Sequence, residues 1–294
     1  MAGTTRRVPD VLTRRHSLLA LAALPLASRA QHGPRRIVAV GGAVTETIYA
    51  LGAQGELVGV DTTSLYPAGA QKLPSVGYAR SLSAEGVLSL KPTLLLAAGE
   101  AGPPAVLRQL QATGLAVQML NADHRVEGLL ACTRDIGQAV GRAAAGEQLA
   151  AQIERDWADT QRAVAARRSN GNPPRVLFVL AHAMNAVRIS GRNTAADALI
   201  RYAGAANAFG DTEGYKPLTP EAAVAAAPDV ILCTDQGLQA AGGAAGLLAA
   251  PGLGATPAGR AKRVVSLDAL FMLGFGPRLP QAVAQLAERL HTRA

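Results

Sequence analysis

Residues 82–96, LSAEGVLSLKPTLLL, and residues 218–232, LTPEAAVAAAPDVIL, follow the same pattern. In both stretches a glutamate stands seven residues before a proline, and a strand-like apolar run follows. In the first stretch Ser83 is a candidate N-cap, Glu85 lies in the first turn and Pro92 comes just past the last turn, which predicts a short helix. The recurrence of this helix-to-strand unit predicts that the chain has two similar halves.

Strands and helices alternate on both sides of the two stretches. The predicted strands are Arg35–Val40, Leu57–Val60, Thr93–Ala98, Leu115–Leu120, Arg175–Leu180, Val230–Cys233 and Arg263–Leu267. The predicted helices between and after them include Thr45–Leu51, Pro104–Thr113, Ala195–Tyr202 and Pro277–Thr292. Such alternation predicts an α/β fold whose mostly parallel sheets are covered by helices on both faces.

A long helix separates the two halves. The pattern is helical from about Val126 to Arg168, and its last part, Ala143–Arg168, would extend about 39 Å at 1.5 Å per residue. We therefore expect two similar Rossmann-like lobes, residues 35–141 and 173–294, joined by a connecting helix at residues 142–169, with a ligand cleft between the lobes. Periodicity alone fits an ordinary long surface helix equally well.

The N-terminus has the pattern of a targeting segment. Two arginines, Arg14 and Arg15, precede a short apolar run, Leu18–Leu26, and Ser28-Arg29-Ala30 offers a cleavage site between small residues. The run is too short to span a bilayer. We therefore predict that residues 1–30 are an export signal cleaved near Ala30, by either the general or the twin-arginine route.

Composition narrows the class of protein. The chain of 294 residues is 49% hydrophobic and 17% charged, which is typical of a globular protein. The net charge of +8 is raised by the predicted leader, and the remaining basic residues are scattered, so no nucleic-acid partner is predicted. The two cysteines, Cys132 and Cys233, lack the spacing of a metal site; they fit small buried hydrophobes or, after export, a disulfide.

Signatures of catalysis are missing from the sequence. It contains no Gly-x-Ser-x-Gly, Walker, His-Glu-x-x-His or Cys-x-x-Cys motif. An exported chain with two lobes and no catalytic motif is predicted to be a binding protein rather than an enzyme.

Four segments carry a resemblance to a known family. Residues 76–92, VGYARSLSAEGVLSLKP, resemble the haem-ligand segment of the periplasmic haem-binding proteins of bacterial ABC importers. Residues 191–199 (GRNTAADAL), 214–218 (GYKPL) and 270–278 (LFMLGFGPR) are similar to other segments of that family. The resemblance covers residues 35–292. Gly-Tyr-x-Arg is its specific part, because the Glu–Pro units occur across the wider class of cobalamin- and siderophore-binding proteins.

The resemblance implies a function and partners. It implies a periplasmic monomer that captures ferric haem as its transported ligand and delivers it to the permease dimer of an ABC importer. An outer-membrane haem receptor system would then be an indirect partner. The number of haems bound, one or two, stays open.

Tyr78 and Arg80 are the predicted haem contacts with the clearest chemistry. Ferric iron is a hard cation, and tyrosinate is a known protein ligand of haem iron. A free phenol has a pKa near 10, so a nearby guanidinium would help by favouring the phenolate. We expect Tyr78 to ligate the iron and Arg80 to bond the phenolate or a propionate. Without the resemblance, the two residues fit a loop tyrosine and a solvated arginine.

Further site residues rest on the resemblance alone. In some members a histidine of the second lobe supplies another iron ligand, to the same haem or to a second stacked one, and His182 is the candidate here; a structural histidine is the alternative. Tyr215 and Phe271 are candidates to pack on the porphyrin, or else belong to the core or rim. Arg192 is a candidate propionate partner.

Glu85 and Glu221 have a different implied role. In the family, one acidic residue on each lobe docks onto arginines of the two permease subunits, and the repeat supplies such a pair. Glutamates favoured by the helix dipole are the plainer interpretation.

Two other functions remain open from the sequence. One is the same fold carrying cobalamin or a ferric siderophore, against which the Tyr78–Arg80 loop argues, since the metal of those ligands is already largely coordinated. The other is an enzyme that modifies a tetrapyrrole or releases iron from haem.

Overall fold

The apolar runs of the sequence form the central strands of two sheets in the computed structural model, which describes residues 2–4, 35–121, 123–167, 172–181 and 187–291. The strands are β1 Ile37–Val40, β2 Leu57–Val60, β3 Gly77–Tyr78, β4 Ser81–Leu82, β5 Leu94–Ala98, β6 Ala116–Leu120, β7 Arg175–Ala181, β8 Val187–Ser190, β9 Ala206–Asn207, β10 Tyr215–Pro217, β11 Val230–Thr234 and β12 Val264–Leu267. The helices are α1 Gly42–Ala50, α2 Ala84–Ser89, α3 Pro104–Ala112, α4 Val126–Ala139, α5 Ala143–Arg167, α6 Ala195–Tyr202, α7 Pro220–Ala226, α8 Asp235–Ala240, α9 Gly243–Leu248, α10 Pro257–Arg260, α11 Ala269–Leu273 and α12 Leu279–His291.

The first lobe is built on a parallel sheet with strand order β2-β1-β5-β6. Its central strand, β1, is buried throughout. Because side chains alternate across a strand, Ile37 and Ala39 pack with α1 on one face, while Val38 and Val40 pack with α2 and α3 on the other. Burial of both faces explains why this strand is an unbroken apolar run.

The second lobe is built on a mixed sheet with strand order β10-β8-β7-β11-β12, with β9 also paired to β7. The strands β7, β11 and β12 are parallel, as expected, but β8 and β10 run antiparallel at one edge. The sequence prediction omits these two strands. They are three or four residues long, and Pro217 ends one of them, so neither carries a strong local strand signal.

The long helix α5 contacts both lobes. It lies beside α4 and packs on α12. Leu149 of α5 touches the hydrophobic cores of both lobes, and Trp157 meets Tyr202 of α6 edge to face, with ring centroids 4.7 Å apart. The crossing of α4 and α5 is close, since a Cβ on Gly137 would lie 2.8 Å from the Cα of Gly146.

The repeated sequence unit is also a structural repeat. Ser83 accepts a hydrogen bond from the Gly86 amide at 3.3 Å, which confirms it as the N-cap of α2, and Thr219 caps α7 in the same way. Lys91 and Ala227, the residues before the two prolines, both have positive φ, at 47° and 43°. In each lobe the helix is followed by a central strand, β5 or β11. The two copies therefore share a side-chain N-cap, a residue with positive φ before the proline, and a central strand that follows the helix.

The region between β11 and β12 differs from the prediction. The sequence analysis gives no helix or strand there, and the structure has the short helices α8, α9 and α10. Helices of four to six residues are too short to show a periodic pattern. Thr234 and Thr256 cap two of them through their hydroxyl groups.

The two cysteines are free thiols. Cys233 is buried in the second lobe, where burial raises the pKa of its thiol to about 12, and Cys132 is half-buried. None of the described helices is both long enough and apolar enough to span a bilayer.

Candidate ligand-binding cleft between the lobes

A cleft of about 600 Å³ lies between the two lobes. The first lobe contributes the ends of β1, β5 and β6 and the β3–β4 hairpin, and the second contributes the ends of β7 and β11 together with α8 and α11. The carboxyl ends of parallel strands are the usual binding edge of such sheets. Its size is within the range of small-molecule and cofactor sites.

Most of the cleft wall is apolar. Leu65, Leu129, Leu270, Leu273 and Phe275 are among the lining residues. The ionisable groups among the described lining residues are Tyr78, Arg80, Glu100, His124 and Cys132. A broad apolar surface with a few polar groups suits a large, flat and mainly hydrophobic ligand with a few charged groups.

The β3–β4 hairpin brings Tyr78 and Arg80 to this wall. Tyr78 pairs with Ser81, so Ala79 and Arg80 form the turn. The hairpin is anchored where the buried Ala79 accepts a hydrogen bond from the Gly102 amide at 2.9 Å. Gly77, at φ 93°, sets the entry to the hairpin, a conformation that other residues rarely adopt. As a result Tyr78 keeps 47% of its surface exposed on the cleft side of an otherwise fixed turn.

Arg80 also acts across the cleft. It is exposed, and it forms no ion pair with any residue that the structure describes. Burial raises the pKa of the Tyr215 phenol in the second lobe, while the Arg80 guanidinium and a hydrogen bond with Thr194 oppose that rise. The positive charge of Arg80, in the first lobe, therefore acts on a phenol of the second lobe.

Arg192 and Phe271, two further predicted haem residues, are not among the described residues that line the cleft. Arg192 is exposed and 3.8 Å from Glu213 in an ion pair. Phe271 belongs to α11, but it faces a second recess of about 400 Å³ next to Arg278, while its neighbour Leu270 lines the main cleft. His182 lies outside the described residues.

Asp61 holds the floor of the cleft, a role that the sequence analysis missed. Its buried carboxylate accepts hydrogen bonds from the Gly41 amide at 2.9 Å and the Ser64 hydroxyl at 2.8 Å. It also accepts two from Thr63, from the amide at 3.0 Å and the hydroxyl at 2.6 Å. Gly41 and Thr63 line the cleft, so one carboxylate fixes the turn after β1 against the loop after β2. An aspartate directly after a predicted buried strand is the signal that could have found it.

His124 is a second missed residue. It follows β6, lines the cleft and meets Phe275 of the second lobe edge to face, with ring centroids 5.2 Å apart. Burial lowers the pKa of its imidazole below the ordinary value, against the opposing charges of Glu100 and Asp123. Its place after a predicted strand is again the signal available in the sequence.

Comparison with known proteins agrees with this architecture. The profile of the family described as "Periplasmic binding protein" matches residues 37–270. The solved structure titled "Periplasmic heme-binding protein BhuT in complex with two hemes (holo-2 form)" is 53% identical, with a TM-score of 0.84 over 88% of this chain and 98% of that one. Four further solved heme-binding proteins match at 26 to 44% identity, with TM-scores of 0.78 to 0.84.

The curated relatives are less similar in sequence. "Uncharacterized ABC transporter substrate-binding lipoprotein YvrC" of Bacillus subtilis is 28% identical over 260 residues, covering 88% of this chain and 80% of that protein. "Cobalamin-binding protein" of Halobacterium salinarum is 28% identical over 265 residues, covering 88% and 70%. With a two-lobed α/β fold, a cleft between the lobes and a family profile that covers most of the chain, this protein belongs to the periplasmic binding protein family.

Proposed function

We propose that this protein captures ferric haem in the cleft between its lobes and delivers it to the permease of an ABC importer. The observation that carries the proposal is the β3–β4 hairpin, which brings both a phenol and a guanidinium to a largely apolar cleft wall. The 53% identity to a periplasmic heme-binding protein supports the same ligand. The protein is a binding protein and not an enzyme.

Tyr78 is the proposed iron ligand and Arg80 its partner. A phenolate is a hard anionic donor suited to ferric iron. Arg80 would stabilise that anion or pair with a propionate, and its place in a fixed turn holds it near Tyr78 in either case. The leucines and Phe275 of the wall would pack on the porphyrin faces.

The other candidate contacts have unequal support. The positive charge of Arg80 acts on the Tyr215 phenol, so we propose that Tyr215 contacts the haem edge. Arg192 is engaged with Glu213 and Phe271 faces the second recess, so both are weaker candidates. The related BhuT is titled as a complex with two hemes, and His182 is the proposed ligand of a second haem here.

Cobalamin is the second candidate ligand. One cobalamin-binding relative spans 88% of this chain, at 28% identity. A tyrosinate ligand proposed for haem iron would have no such role with cobalamin, because the cobalt is already largely coordinated. The hairpin and the closer similarity to heme-binding structures favour haem.

Export and docking complete the proposed role. We propose that residues 1–30, most of which lie outside the described residues, are an export signal cleaved near Ala30, and that the mature chain is a periplasmic monomer. Glu85 and Glu221 are both exposed in the first turns of the repeated helices α2 and α7. One on each lobe, they are the proposed contacts with a permease dimer.

A titration tests the ligand. Purified mature protein is titrated with ferric haem and, separately, with cyanocobalamin, beside Tyr78→Ala. We expect saturable haem binding with a tyrosinate-type high-spin absorption spectrum that is lost in the variant, and the end point gives the number of haems. Saturable binding of cobalamin and none of haem would overturn the proposal.

A transport assay tests the docking residues. The double variant Glu85→Ala/Glu221→Ala should lose haem uptake through the reconstituted importer while it keeps the wild-type haem affinity. Weakened haem binding by this variant would contradict a docking role.

A further inference from the structure

One segment of the second lobe, residues 270–278, rests on helix α1 of the first lobe. The approach is close: a Cβ on Gly42 would lie 2.6 Å from Cδ1 of Leu270, and a Cβ on Gly276 would lie 3.4 Å from the Cβ of Ala43. The same Cβ would lie 2.5 Å from the Thr63 carbonyl oxygen of the first lobe, so Gly42 is enclosed from both lobes.

A bidentate ion pair joins the lobes at this contact. The Arg278 guanidinium donates from Nε to Oε1 of Glu46 at 2.7 Å and from Nη2 to Oε2 at 2.8 Å. Glu46 keeps 5% of its side-chain surface exposed and Arg278 keeps 27%. Arg278 also stacks on the Tyr66 ring, with its Cζ 3.6 Å from the ring centroid. Fork geometry and a flat aromatic support restrict the guanidinium to one orientation.

This ion pair differs from those on the surface. The Arg192–Glu213 pair is 3.8 Å apart with both side chains more than half exposed, and pairs of that kind contribute little to stability. Removing one partner of a buried pair instead leaves a desolvated charge unpaired. Burial alone would lower the pKa of Arg278, but its hydrogen bonds and the charge of Glu46 raise it.

The ion pair lies directly behind the ligand cleft. Gly42, Val44 and Thr47 of α1 line one wall of the cleft, and Glu46 points away from them to the lobe contact. Leu270 and Phe275 of the opposite segment line the other wall. A shift of α1 against residues 270–278 would therefore move both walls.

We infer that Glu46, Arg278 and Tyr66 form an interlobe clasp that fixes the width of the cleft and so sets how fast its ligand leaves. All three are positioning residues, since they act through the walls rather than on the ligand. The clasp stands on the contacts above, and only the identity of the ligand rests on the proposed function.

Electron-spin distance measurements on the ligand-free protein test the clasp. Spin labels are placed on the exposed positions Arg108→Cys in α3 and Gln239→Cys in α8, in a Cys132→Ser background. The buried Cys233 thiol, with its pKa of about 12, stays unlabelled. We expect Arg278→Met and Glu46→Gln to broaden the distance distribution between the lobes. A distribution as narrow as that of the wild type in both variants would overturn the inference.

A matched control separates the clasp from a general loss of an ion pair. Asp197 also keeps 5% of its side chain exposed and pairs with Arg201 at 3.1 Å, but within the single helix α6. Arg201→Met should therefore leave the interlobe distribution narrow. Broadening by Arg201→Met to the same extent as by Arg278→Met would contradict a specific clasp.

Ferric haem then supplies the functional measurement. We expect haem to dissociate about tenfold faster from Arg278→Met than from the wild type, with an unchanged absorption spectrum. Arg278→Lys should fall between them, because an ammonium cannot form the two-pronged bond. Wild-type protein that binds no haem would refute the proposed function while the distance measurement still decides the clasp. An unchanged rate in Arg278→Met would overturn the inference that the clasp sets how fast the ligand leaves, and it would leave the proposed function standing.

Discussion

Each lobe has a Gly-Tyr pair just before its copy of the repeat, and the two pairs have different surroundings. Gly77 and Gly214 both adopt positive φ, at 93° and 68°. Tyr78 follows the first and stays 47% exposed in the cleft. Tyr215 follows the second and is largely buried, and its phenol forms a hydrogen bond with Thr194. The same local sequence thus leads to a phenol open to a ligand in one lobe and a packed phenol in the other.

The difference comes from the strand that each tyrosine joins. Tyr215 lies in β10, which pairs with β8 of the main sheet, opposite Ser190. In the first lobe β3 pairs only with β4, and the two strands form a sheet of their own, separate from the main one. The repeat therefore supplies a symmetric frame with the matching helices α2 and α7, while only the first lobe leaves the tyrosine of its Gly-Tyr pair exposed in the cleft.

Replacing each of the two tyrosines by phenylalanine is the strongest test of this difference between the lobes. Tyr78→Phe should weaken ferric haem binding by about 100-fold or more, since loss of a ligand exceeds the loss of a partner group. Its tyrosinate-type absorption should vanish. Absorption titration measures both.

Tyr215→Phe is the matched control. It removes one hydroxyl from a partly buried phenol, so it should lower the free energy of unfolding by about 1 kcal/mol and leave the high-spin spectrum intact. Loss of the spectrum in Tyr215→Phe and its survival in Tyr78→Phe would assign the iron ligand to the second lobe.

Arg80→Met sharpens the comparison, because Arg80 belongs to the hairpin that carries Tyr78 while its charge acts on Tyr215. We expect haem affinity to fall by about 10- to 100-fold, as for other groups that support a ligand. In the haem-free protein, Tyr215 should deprotonate at a higher pH than in the wild type, since the opposing guanidinium is gone. An ultraviolet titration of phenolate absorption follows this change. A Tyr215 midpoint that moved down or not at all would show that Arg80 does not face it.

His124→Gln has the smallest expected effect, a change in how stability depends on pH. The substitution lies where the two lobes meet through His124 and Phe275. Because the pKa of His124 is lowered in the folded protein, the unfolded chain takes up its proton first as pH falls below about 6.5. The wild type should therefore lose stability through this group between about pH 6.5 and the lowered pKa. Thermal melts at about pH 7.5 and pH 5.5 should show a smaller drop in Tm for the glutamine variant. An equal drop in Tm for the wild type and the variant would show that groups other than His124 cause the loss of stability.

Local signals explain how much of the fold the sequence predicts. Caps such as Ser83, breakers such as Pro92 and uninterrupted apolar runs act over a few residues, and they predicted the central strands and the long helix. The edge strands β8 and β10 lacked such signals, because their pairing depends on where β7 lies in the folded sheet. The short helices α8–α10 were not predicted because four to six residues are too few to show a periodic pattern.

The sequence by itself determined the α/β alternation of the two halves, the repeat and the Gly-Tyr-x-Arg loop before it, because each is a pattern of neighbours along the chain; that this loop is a β-hairpin came from the structure. Only the tertiary structure decided that Asp61 holds the cleft floor, that Tyr215 is packed while Tyr78 is exposed, and that Glu46 meets Arg278. Those two partners are 232 residues apart, so no local pattern relates them. Their contact exists only once both lobes have folded and α1 has been brought against residues 270–278.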